Sequence, residues 1–582
     1  MTLFDYQSTD AVGEVYSVDT GTVIVTVSDE ERLRTLQVNH LVALRSSKAG
    51  QHLIGLINKI TRKTVGGSAD EDSDEEMSEG MTVIENVVRV TLIGTMIDTV
   101  GTTSNVFRRT LETVPEIDAP CFVLDGERLT KFMQSVSKSV QDAKQPLSVG
   151  KYTLDENAEA FLDGNKFFQR HAVVVGSTGS GKSCTVAHIL EQVAVLPNAN
   201  AILFDIHGEY APIQGDGIQH LSIAGPGDLD GMKGLADGIV FLPYWLLTYE
   251  EMLAMLLDRS DQNAPNQAMV FSREVTAAKR TRLEAESKLE VLANFTVDSP
   301  VPYSLDTVME RLNFLNTERV PGAKAGTTRA GDFENKLSRF IQRLEAKRRD
   351  RRLGFLFAGS ADTMQYDWMR SFCTQLLGST GQQDKGGVKI VDFSEVPSDV
   401  LPLIIGLVTR VVFSVQQWTE KEKRHPIALI CDEAHLYIPS RTESSAVNEA
   451  ALSSFERVAK EGRKYGVSLI VVSQRPAEVN RTVLSQCNNY IAMRLTNAED
   501  QQVVKRLLPD NLGGFSELLP ILDVGEALVV GDAAMLPSRI RIQEPATRPS
   551  SATVDFWDEW AKEEKELGIP DAVEALRKQS RG

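Results

Sequence analysis

A predicted phosphate-binding loop is the feature of this sequence with the most specific chemistry. The segment GSTGSGKS matches the pattern G-x-x-x-x-G-K-[ST], in which glycines let backbone N–H groups curl around phosphates. We expect Lys182 to reach the β- and γ-phosphates of ATP and the Ser183 hydroxyl to bind Mg²⁺. A mere glycine-rich turn is the alternative, but an apolar strand precedes the loop and a helix follows it, as phosphate binding requires. The predicted ATP-binding residues are Gly176, Ser177, Thr178, Gly179, Ser180, Gly181, Lys182, Ser183 and Cys184.

Two adjacent carboxylates follow a second apolar segment. Residues 427–431 (IALIC) predict a buried strand, and Asp432 and Glu433 come directly after it. Open α/β sheets bind their ligands at the carboxyl ends of the strands. We predict that Asp432 holds Mg²⁺ through water and that Glu433 orients and polarises the attacking water. This pattern is weakly specific alone, but together with the loop it predicts hydrolysis of a nucleoside triphosphate.

Two further strand ends carry polar residues. Gln474 follows the strand 468–472, and its neutral amide could sense the γ-phosphate and the attacking water, or only cap the strand. Asp205 ends the strand 201–205 in the segment FDIHGEY. Asp205 could act on Mg²⁺ or water, or only cap the next helix, and the sequence leaves both open.

Arginines could complete such a site. An ATP motor needs a cation against the charge that develops on the γ-phosphate, often supplied by a neighbouring subunit. The candidates are Arg457 and Arg463 in the segment 455–466, and Arg170 just before the loop strand. Each could equally be a structural or surface arginine.

The spacing of strands and helices predicts the fold that positions these residues. Strand, loop, helix and strand follow one another from His171 to Asp205, and the pattern returns from Gly387 in strands at 388–393, 427–431, 468–472, 490–494 and 527–530. We therefore predict an α/β protein with a RecA-like P-loop NTPase core in two parts, residues 166–246 and 387–545. Residues 247–386 are predicted to be a helical insertion.

The N-terminal region predicts a different architecture. Alternating apolar runs at 15–18, 23–27, 36–38, 53–60 and 83–97 indicate a small β-barrel over residues 1–115. An acidic segment, 66–80, interrupts it and is predicted to be a solvated surface insertion, with a regulatory or DNA-mimicking loop as the alternative. Residues 116–165 are predicted only as a connector.

Charge limits where nucleic acid could bind. The net charge is −18, so any DNA contact must be confined to a local basic patch. Within the insertion, the best candidates are two clusters, which could also be solvated helix faces. They are Lys279, Arg280 and Arg282, and Lys347, Arg348, Arg349, Arg351 and Arg352.

The remaining composition indicates a protein of the cytoplasm. The sequence has no predicted membrane span or signal peptide, and Leu401–Val415 is predicted to be a buried core helix. The five cysteines are scattered without a C-x-x-C pair, which argues against zinc and for a reducing compartment. Residues 546–582 predict a polar helical tail that packs on a neighbour or on the outside of the domain.

The order of these motifs resembles the HerA family, hexameric DNA translocases of the same clade as FtsK. The shared segments are GSTGSGKS, DIHGEY, LPYWLLTYEE, LICDEAH, EGRKYG, VVSQRP and GEALVVG, and the resemblance extends to a small N-terminal barrel (HAS-barrel-like) and a C-terminal helical brace. By position, Lys182 and Ser183 match the family's P-loop residues, Asp432 and Glu433 its Walker B pair, and Gln474 its sensor. Arg463, Arg457 and Arg170 fall where the family places interface arginines.

The resemblance implies a ring of six subunits with ATP sites at the interfaces and double-stranded DNA in the central pore. It also implies an effector partner that docks on the barrel: a NurA-type nuclease in DNA-end resection, or a sirtuin-like NADase or another nuclease in bacterial antiphage defence. The DEAH string lies too far from Lys182, without intervening helicase motifs, to indicate a DEAH-box helicase. The acidic segment departs from what the family at large leads us to expect.

Three functions are compatible with these residues. The first is a ring motor that couples ATP hydrolysis to DNA translocation. The second is an ATP-switched hexameric scaffold that assembles and activates an effector. The third, a monomeric P-loop kinase or signalling ATPase, would need neither an interface arginine nor a helical insertion. Stimulation of the ATPase by DNA distinguishes the first from the second.

Overall fold

The computed structural model describes most of the chain in two compact units. The first comprises Met1–Phe167, Val175–Thr185 and Asn488–Glu544, and the second comprises Phe168–Val174, Val186–Cys487 and Pro545–Gly582. The described residues are all except 1–3, 5, 66–82, 102, 142–145, 232, 325, 379–386, 442–444, 508–515, 552–555, 563–567 and 580–582. The acidic segment 66–80 lies outside them.

The described residues form strands and helices along the whole chain. The strands are β1 (Gly13–Asp19), β2 (Thr22–Val27), β3 (Leu41–Arg45), β4 (Gln51–Val65), β5 (Val83–Val100), β6 (Thr103–Arg108), β7 (Pro120–Val123), β8 (Pro146–Tyr152), β9 (Asp155–Asp163), β10 (Ala172–Val175), β11 (Ala201–Asp205), β12 (Ile218–Ile223), β13 (Ile239–Val240), β14 (Arg319–Pro321), β15 (Thr328–Ala330), β16 (Val388–Asp392), β17 (Ile427–Cys431), β18 (Val467–Ser473), β19 (Asn489–Met493), β20 (Glu526–Gly531) and β21 (Ser538–Ile542). The α-helices are α1 (Glu30–Thr35), α2 (Gly126–Gln141), α3 (Gly164–Gln169), α4 (Lys182–Ala194), α5 (Tyr249–Leu256), α6 (Ala264–Ala285), α7 (Leu289–Leu292), α8 (Leu305–Thr317), α9 (Ser338–Arg349), α10 (Gly354–Phe357), α11 (Trp368–Leu377), α12 (Leu401–Trp418), α13 (Ala446–Tyr465), α14 (Arg481–Leu484), α15 (Ala498–Leu507), α16 (Phe556–Trp560) and α17 (Ile569–Lys578).

The first unit contains the predicted barrel, and its closure is confirmed. The strands pair in the order β2-β1-β7-β3-β4-β5, β2 also pairs with β5 to close the ring, and β6 extends the sheet from β5. Alternate residues of β2 are buried, as expected for a strand with one face on a core. Valine, leucine and isoleucine side chains fill that core.

One predicted barrel strand, Leu36–Val38, is wrong. The chain there leaves α1, turns through Asn39 at a φ of 74°, and begins β3 only at Leu41. Leu36 is nevertheless buried in the barrel core, as the residue that ends α1. Its burial explains why an apolar pattern was present without a strand.

The region predicted as a connector, residues 116–165, is ordered secondary structure in the first unit. β7 pairs with β1 and β3 inside the barrel. β8 and β9 form an antiparallel hairpin that pairs with β21, and the antiparallel order continues β21-β20-β19. The pairing of β8 with β9 shifts register at two places. Such shifts interrupt the simple alternation of buried and exposed residues, so the sequence signal for these strands was weak.

The second unit is built on a parallel sheet in the order β13-β12-β16-β11-β17-β18-β10. β11, β17 and β18 are buried at every residue, as expected for strands covered on both faces. β10 lies next to β18 in this sheet. Leu469 N of β18 donates to Nδ1 of His171, the residue just before β10, at 2.9 Å.

Helix α12 is the core helix of this unit. It is long and apolar enough to span a membrane by length and composition, but 72% of it is buried inside the protein. Arg410 interrupts its apolar surface and makes a bidentate ion pair with Glu251 of α5, at 2.7 and 2.8 Å. This pair connects α12 to the first helix of the predicted insertion.

The predicted insertion contains α5 to α11, and its basic residues are engaged within the protein. Lys279 is buried and donates to two backbone carbonyls, those of Val297 and Ser299. Arg280 lies over the ring of Phe295, and Arg282 pairs with Glu286. Each member of the second cluster pairs with a carboxylate: Lys347 with Asp399, Arg348 with Asp306, Arg349 with Glu345, Arg351 with Asp230, and Arg352 with Asp350. Lys279 is thus part of the interior, whereas the pairs of Arg349, Arg351 and Arg352 are exposed. Phosphate contact by either cluster stays a prediction.

Candidate nucleotide-hydrolysis site

The predicted phosphate-binding loop lies between β10 and α4, as the motif requires. Gly179 and Gly181 have φ values of 74° and 101°, which favour glycine and allow the tight reversal of the loop. Lys182 and Ser183 begin α4 and are buried, whereas Cys184 is half-buried in the same turn. Their backbone N–H groups are at the helix N-terminus, where an anion is stabilised.

Backbone contacts within the first unit fix the shape of this loop. Ser177 N donates to Arg494 O at 2.8 Å, and Gly525 N donates to Ser180 O at 3.0 Å. Thr185 Oγ1 lies 3.5 Å from Met493 Sδ. The end of β19 and the turn before β20 thus support the loop, which gives the GEALVVG segment a structural role.

Asp432 and Glu433 lie at the carboxyl end of β17 in the second unit, as predicted. Both are buried, and Glu433 N donates to Asp432 Oδ1 at 2.9 Å. The Tyr437 hydroxyl donates to Asp432 O at 2.7 Å and fixes the turn from the other side. Glu433 has a φ of 46° and a ψ of 42°, a left-handed conformation that costs about 1–2 kcal/mol for a residue with a Cβ. Such local strain is common where a catalytic side chain must be presented.

Gln474 reaches Glu433 from the neighbouring strand. Its Nε2 donates to Glu433 Oε1 at 2.9 Å. The other carboxylate oxygen, Oε2, lies 3.3 Å from Nδ1 of His435, and that nitrogen lies 3.4 Å from Ser473 Oγ. The structure therefore brings the predicted water-activating residue and the predicted sensor into direct contact.

Asp205 lies level with Asp432 on the adjacent strand, because Phe204 pairs with Cys431 in the β11–β17 register. Its carboxylate accepts from Glu209 N at 3.1 Å and from Tyr210 N at 2.9 Å. Burial is the main cause that raises the pKa of Asp205. No helix lies between β11 and β12, a stretch that the structure describes throughout, so Asp205 holds a turn and does not cap a helix. Its use as a ligand of Mg²⁺ stays a prediction.

Tyr210 and His435 are the residues of this region that sequence reasoning did not single out. Tyr210 is fully buried, and burial followed by the charge of Asp432 raises the pKa of its hydroxyl. Tyr210 is in the segment DIHGEY, and His435 is in the segment LICDEAH. Their position four or five residues beyond a strand end was the available signal.

The three candidate arginines differ in their surroundings. Arg457 is exposed, bonds Gln417 Oε1 at 3.0 Å, and lies 4.8 Å from the centre of the Phe413 ring. Arg463 is exposed near the end of α13 and makes no hydrogen bond or ion pair with the residues that the structure describes. Arg170 is half-buried between α3 and β10. Arg463 is thus the one whose guanidinium has no partner within the described chain.

The residue types predicted to bind Mg²⁺ suit an ion that is bound together with a triphosphate. Mg²⁺ usually takes one or two carboxylates or hydroxyls from the protein and completes its shell with phosphate oxygens and water. The Ser183 hydroxyl belongs to the first unit and the Asp432 carboxylate to the second, so their joint use, with Lys182 on the phosphates, stays a prediction. Among the described residues no group of three or more His, Cys, Asp or Glu side chains could hold a metal by protein ligands alone.

Comparison with known proteins shows which proteins this chain is similar to. A family profile described as helicase HerA, central domain, matches residues 147–412. The DNA double-strand break repair helicase HerA of Pyrococcus furiosus is 26% identical over 427 residues, which are 68% of this chain and 69% of that protein. Its counterpart in Saccharolobus solfataricus is 25% identical over 439 residues, 74% of each chain.

Solved structures resemble the chain more distantly. The unbound bacterial conjugative coupling protein TrwB is 12% identical, with a TM-score of 0.43, and the match covers 72% of this chain and 93% of that one. VirB4 of Thermoanaerobacter pseudethanolicus is 16% identical, with a TM-score of 0.43, and covers 69% and 97%. The loop–helix motif, the parallel sheet and the carboxylates at its edge give the fold class independently, an α/β P-loop NTPase. With the family profile over residues 147–412 and the similar HerA helicases, they identify this chain as an ATPase that is similar to HerA helicases.

Proposed function

We propose that this chain is an ATP- and Mg²⁺-dependent translocase or helicase that acts on double-stranded DNA as a ring of six subunits. The observation that carries the proposal is the contact between Glu433 and Gln474 at the ends of adjacent parallel strands. It couples a water-activating carboxylate to a neutral sensor, which is what a motor needs to link hydrolysis to movement. The similar HerA proteins are DNA double-strand break repair helicases, which supports DNA as the substrate.

In this proposal Lys182 and Ser183 bind the β- and γ-phosphates and Mg²⁺, Asp432 holds Mg²⁺ through water, and Glu433 takes a proton from the attacking water. Arg463 is the preferred source of the cation supplied in trans, since its guanidinium has no partner among the described residues. Arg457 is the less favoured candidate because Gln417 and Phe413 already hold it.

A second candidate is an ATP-switched scaffold that activates an effector without moving DNA far. The ion pairs of the insertion's basic residues and the net charge of −18 favour this candidate, because both reduce the surface available to phosphates. The N-terminal barrel would then dock the effector, a nuclease or a sirtuin-like NADase in DNA-end processing or antiphage defence.

The ATPase rate with and without double-stranded DNA separates the two candidates. The purified protein is assayed at low salt, with Lys182→Ala as the background. We expect the motor to be stimulated several-fold by DNA, and the stimulation to fall as salt rises. An ATPase rate that does not change when DNA is added, at any salt concentration, would contradict the motor and favour the scaffold. Native mass spectrometry of the same preparation checks the ring of six.

A further inference from the structure

His435 occupies a position from which it can act on the catalytic glutamate. Its side chain is only 11% exposed, and its Nδ1 lies 3.3 Å from Glu433 Oε2. Gln474 holds the opposite oxygen, Oε1, at 2.9 Å. The two neighbours therefore approach the carboxylate from both of its oxygens.

The same histidine nitrogen has a second neighbour on β18. Ser473 Oγ lies 3.4 Å from Nδ1 and also accepts from Arg475 N at 3.0 Å. A neutral imidazole nitrogen either carries a proton and donates, or has a lone pair and accepts. Nδ1 can therefore donate to Glu433 or accept from the Ser473 hydroxyl, but it cannot do both at once.

Two neighbours can therefore hold the Glu433 carboxylate. Gln474 bonds it directly, and His435 can donate to it when its Nδ1 carries a proton and is not accepting from Ser473. The left-handed backbone of Glu433 makes such support necessary, since a strained turn keeps one side-chain direction only when its surroundings fix it. Distances of 3.3–3.4 Å are also typical of catalytic contacts that shorten once substrate is bound.

We propose that His435 is a positioning residue for ATP hydrolysis: its Nδ1 orients the Glu433 carboxylate toward the attacking water, together with Gln474. The proposal rests on the role given above to Glu433 and deepens it. It requires no contact between His435 and the nucleotide. Loss of the imidazole should therefore slow the chemical step and leave ATP binding intact.

The test compares three replacements of His435 in the full-length protein, with steady-state ATPase kinetics in the absence of DNA. His435→Ala is expected to lower kcat about ten-fold or more, with the KM for ATP changed by less than about two-fold, as is usual for residues that orient a catalytic group. Asn places its amide nitrogen near the position of Nδ1, whereas Gln reaches the position of Nε2. We therefore expect His435→Asn to recover most of kcat and His435→Gln to recover little.

Two controls make the result decisive. His425→Ala removes a histidine that bonds Asn198 O outside this site and should leave kcat unchanged. Glu433→Gln, run in parallel, tests the underlying assignment. If Glu433→Gln retains full turnover, the proposed role of Glu433 fails. If Glu433→Gln is inactive while His435→Ala keeps its kcat, or while the Asn and Gln variants are equally slow, only the role of His435 is refuted.

Discussion

The side-chain amide of Gln474 donates to the carboxylate of Glu433 across 2.9 Å. The two residues come from the ends of β18 and β17, which are parallel neighbours in register from Ile427 with Val467 to Cys431 with Val471. Residues at the carboxyl ends of adjacent parallel strands meet at one edge of a sheet. The pairing of the apolar residues of β17 with those of β18 is therefore enough to bring Glu433 and Gln474 together. The reactivity of the site therefore depends on the register of two strands.

Replacement of Glu433 by Gln tests whether this carboxylate activates water. The substitution keeps the shape and removes the charge, so ATP binding should persist while kcat falls by about 10² or more. Fluorescent-nucleotide titration and phosphate release measure the two effects separately. Glu420→Gln, at an exposed pair with Lys423, is the control and should be fully active. Equal turnover in Glu433→Gln and the parent protein would show that Glu433 does not activate the attacking water.

Lys182→Ala tests the phosphate-binding loop. The variant loses the only lysine of the GSTGSGKS motif, so the charge on the β- and γ-phosphates is no longer balanced and ATP turnover should fall to background. Isothermal titration with ATP and Mg²⁺ determines whether binding or turnover is lost. Lys421→Ala, an exposed lysine in the turn after α12, serves as the control. Normal turnover in Lys182→Ala would show that the site lies elsewhere.

Strong local patterns account for what the sequence predicted correctly in the fold. The strands 201–205 and 427–431 coincide with β11 and β17, because buried parallel strands are short apolar runs with polar residues at their ends. The helix predicted between the phosphate-binding loop and the strand 201–205 corresponds to α4 in the same way. The contact of Glu433 with Gln474 follows from these strands once their order is known, but no local pattern gives that order.

The errors came from elements whose role is decided by distant partners. β21 and β12 were missed: β21 pairs with β8, almost 400 residues away, and β12 has only two buried positions among six. His435 gained its neighbours from the end of β18, and a lone histidine after two carboxylates gave no local signal of that contact. For the basic clusters the sequence showed the charges but not the partners on other elements, such as Asp306 for Arg348.

Mixed rings test whether Arg463 acts in trans. We expect Arg463→Ala to lose about 10³-fold in kcat, as for a cation that stabilises phosphoryl transfer, while Lys464→Ala stays near the parent rate. Arg463→Ala subunits have an intact loop, and Lys182→Ala subunits have an intact arginine. Mixing the two inactive proteins should therefore restore part of the ATPase activity at the interfaces where each supplies what the other lacks.

The result of mixing separates the two candidate arginines. If ATPase activity returns in the mixture of Arg457→Ala with Lys182→Ala and not in the mixture of Arg463→Ala with Lys182→Ala, the catalytic role belongs to Arg457. Full activity of Arg463→Ala alone would exclude it as a source of catalytic charge. Subunit exchange is checked first with differently tagged parent proteins, so that a failure to mix is not read as a failure of the arginine.

The ion pair of Arg410 with Glu251 is predicted to stabilise the second unit. Arg410→Ala leaves a carboxylate with a side chain 5% exposed and without its partner, and should cost about 3 kcal/mol of unfolding free energy. Replacing both residues, as Arg410→Met with Glu251→Met, should cost less, because no buried charge remains. Arg577→Ala breaks an exposed pair with Glu574 and should change the stability little. Thermal unfolding compares the three, and an Arg410→Ala protein as stable as the parent would contradict the prediction.

The buried Lys279 should make the free energy of unfolding of the protein depend on pH in the alkaline range. Burial lowers the pKa of its ammonium group to about 8, whereas an unfolded lysine has a pKa of about 10.4. Between these values the unfolded chain binds a proton that the folded chain lacks, so the contribution of Lys279 to stability rises as pH increases from about 8 to 10. Urea unfolding of the parent and of Lys279→Met should therefore show a free-energy difference that shifts in favour of the parent over this range. Lys421→Met, at an exposed position, should give a constant difference, and a constant difference for Lys279→Met as well would show that the buried lysine has an ordinary pKa.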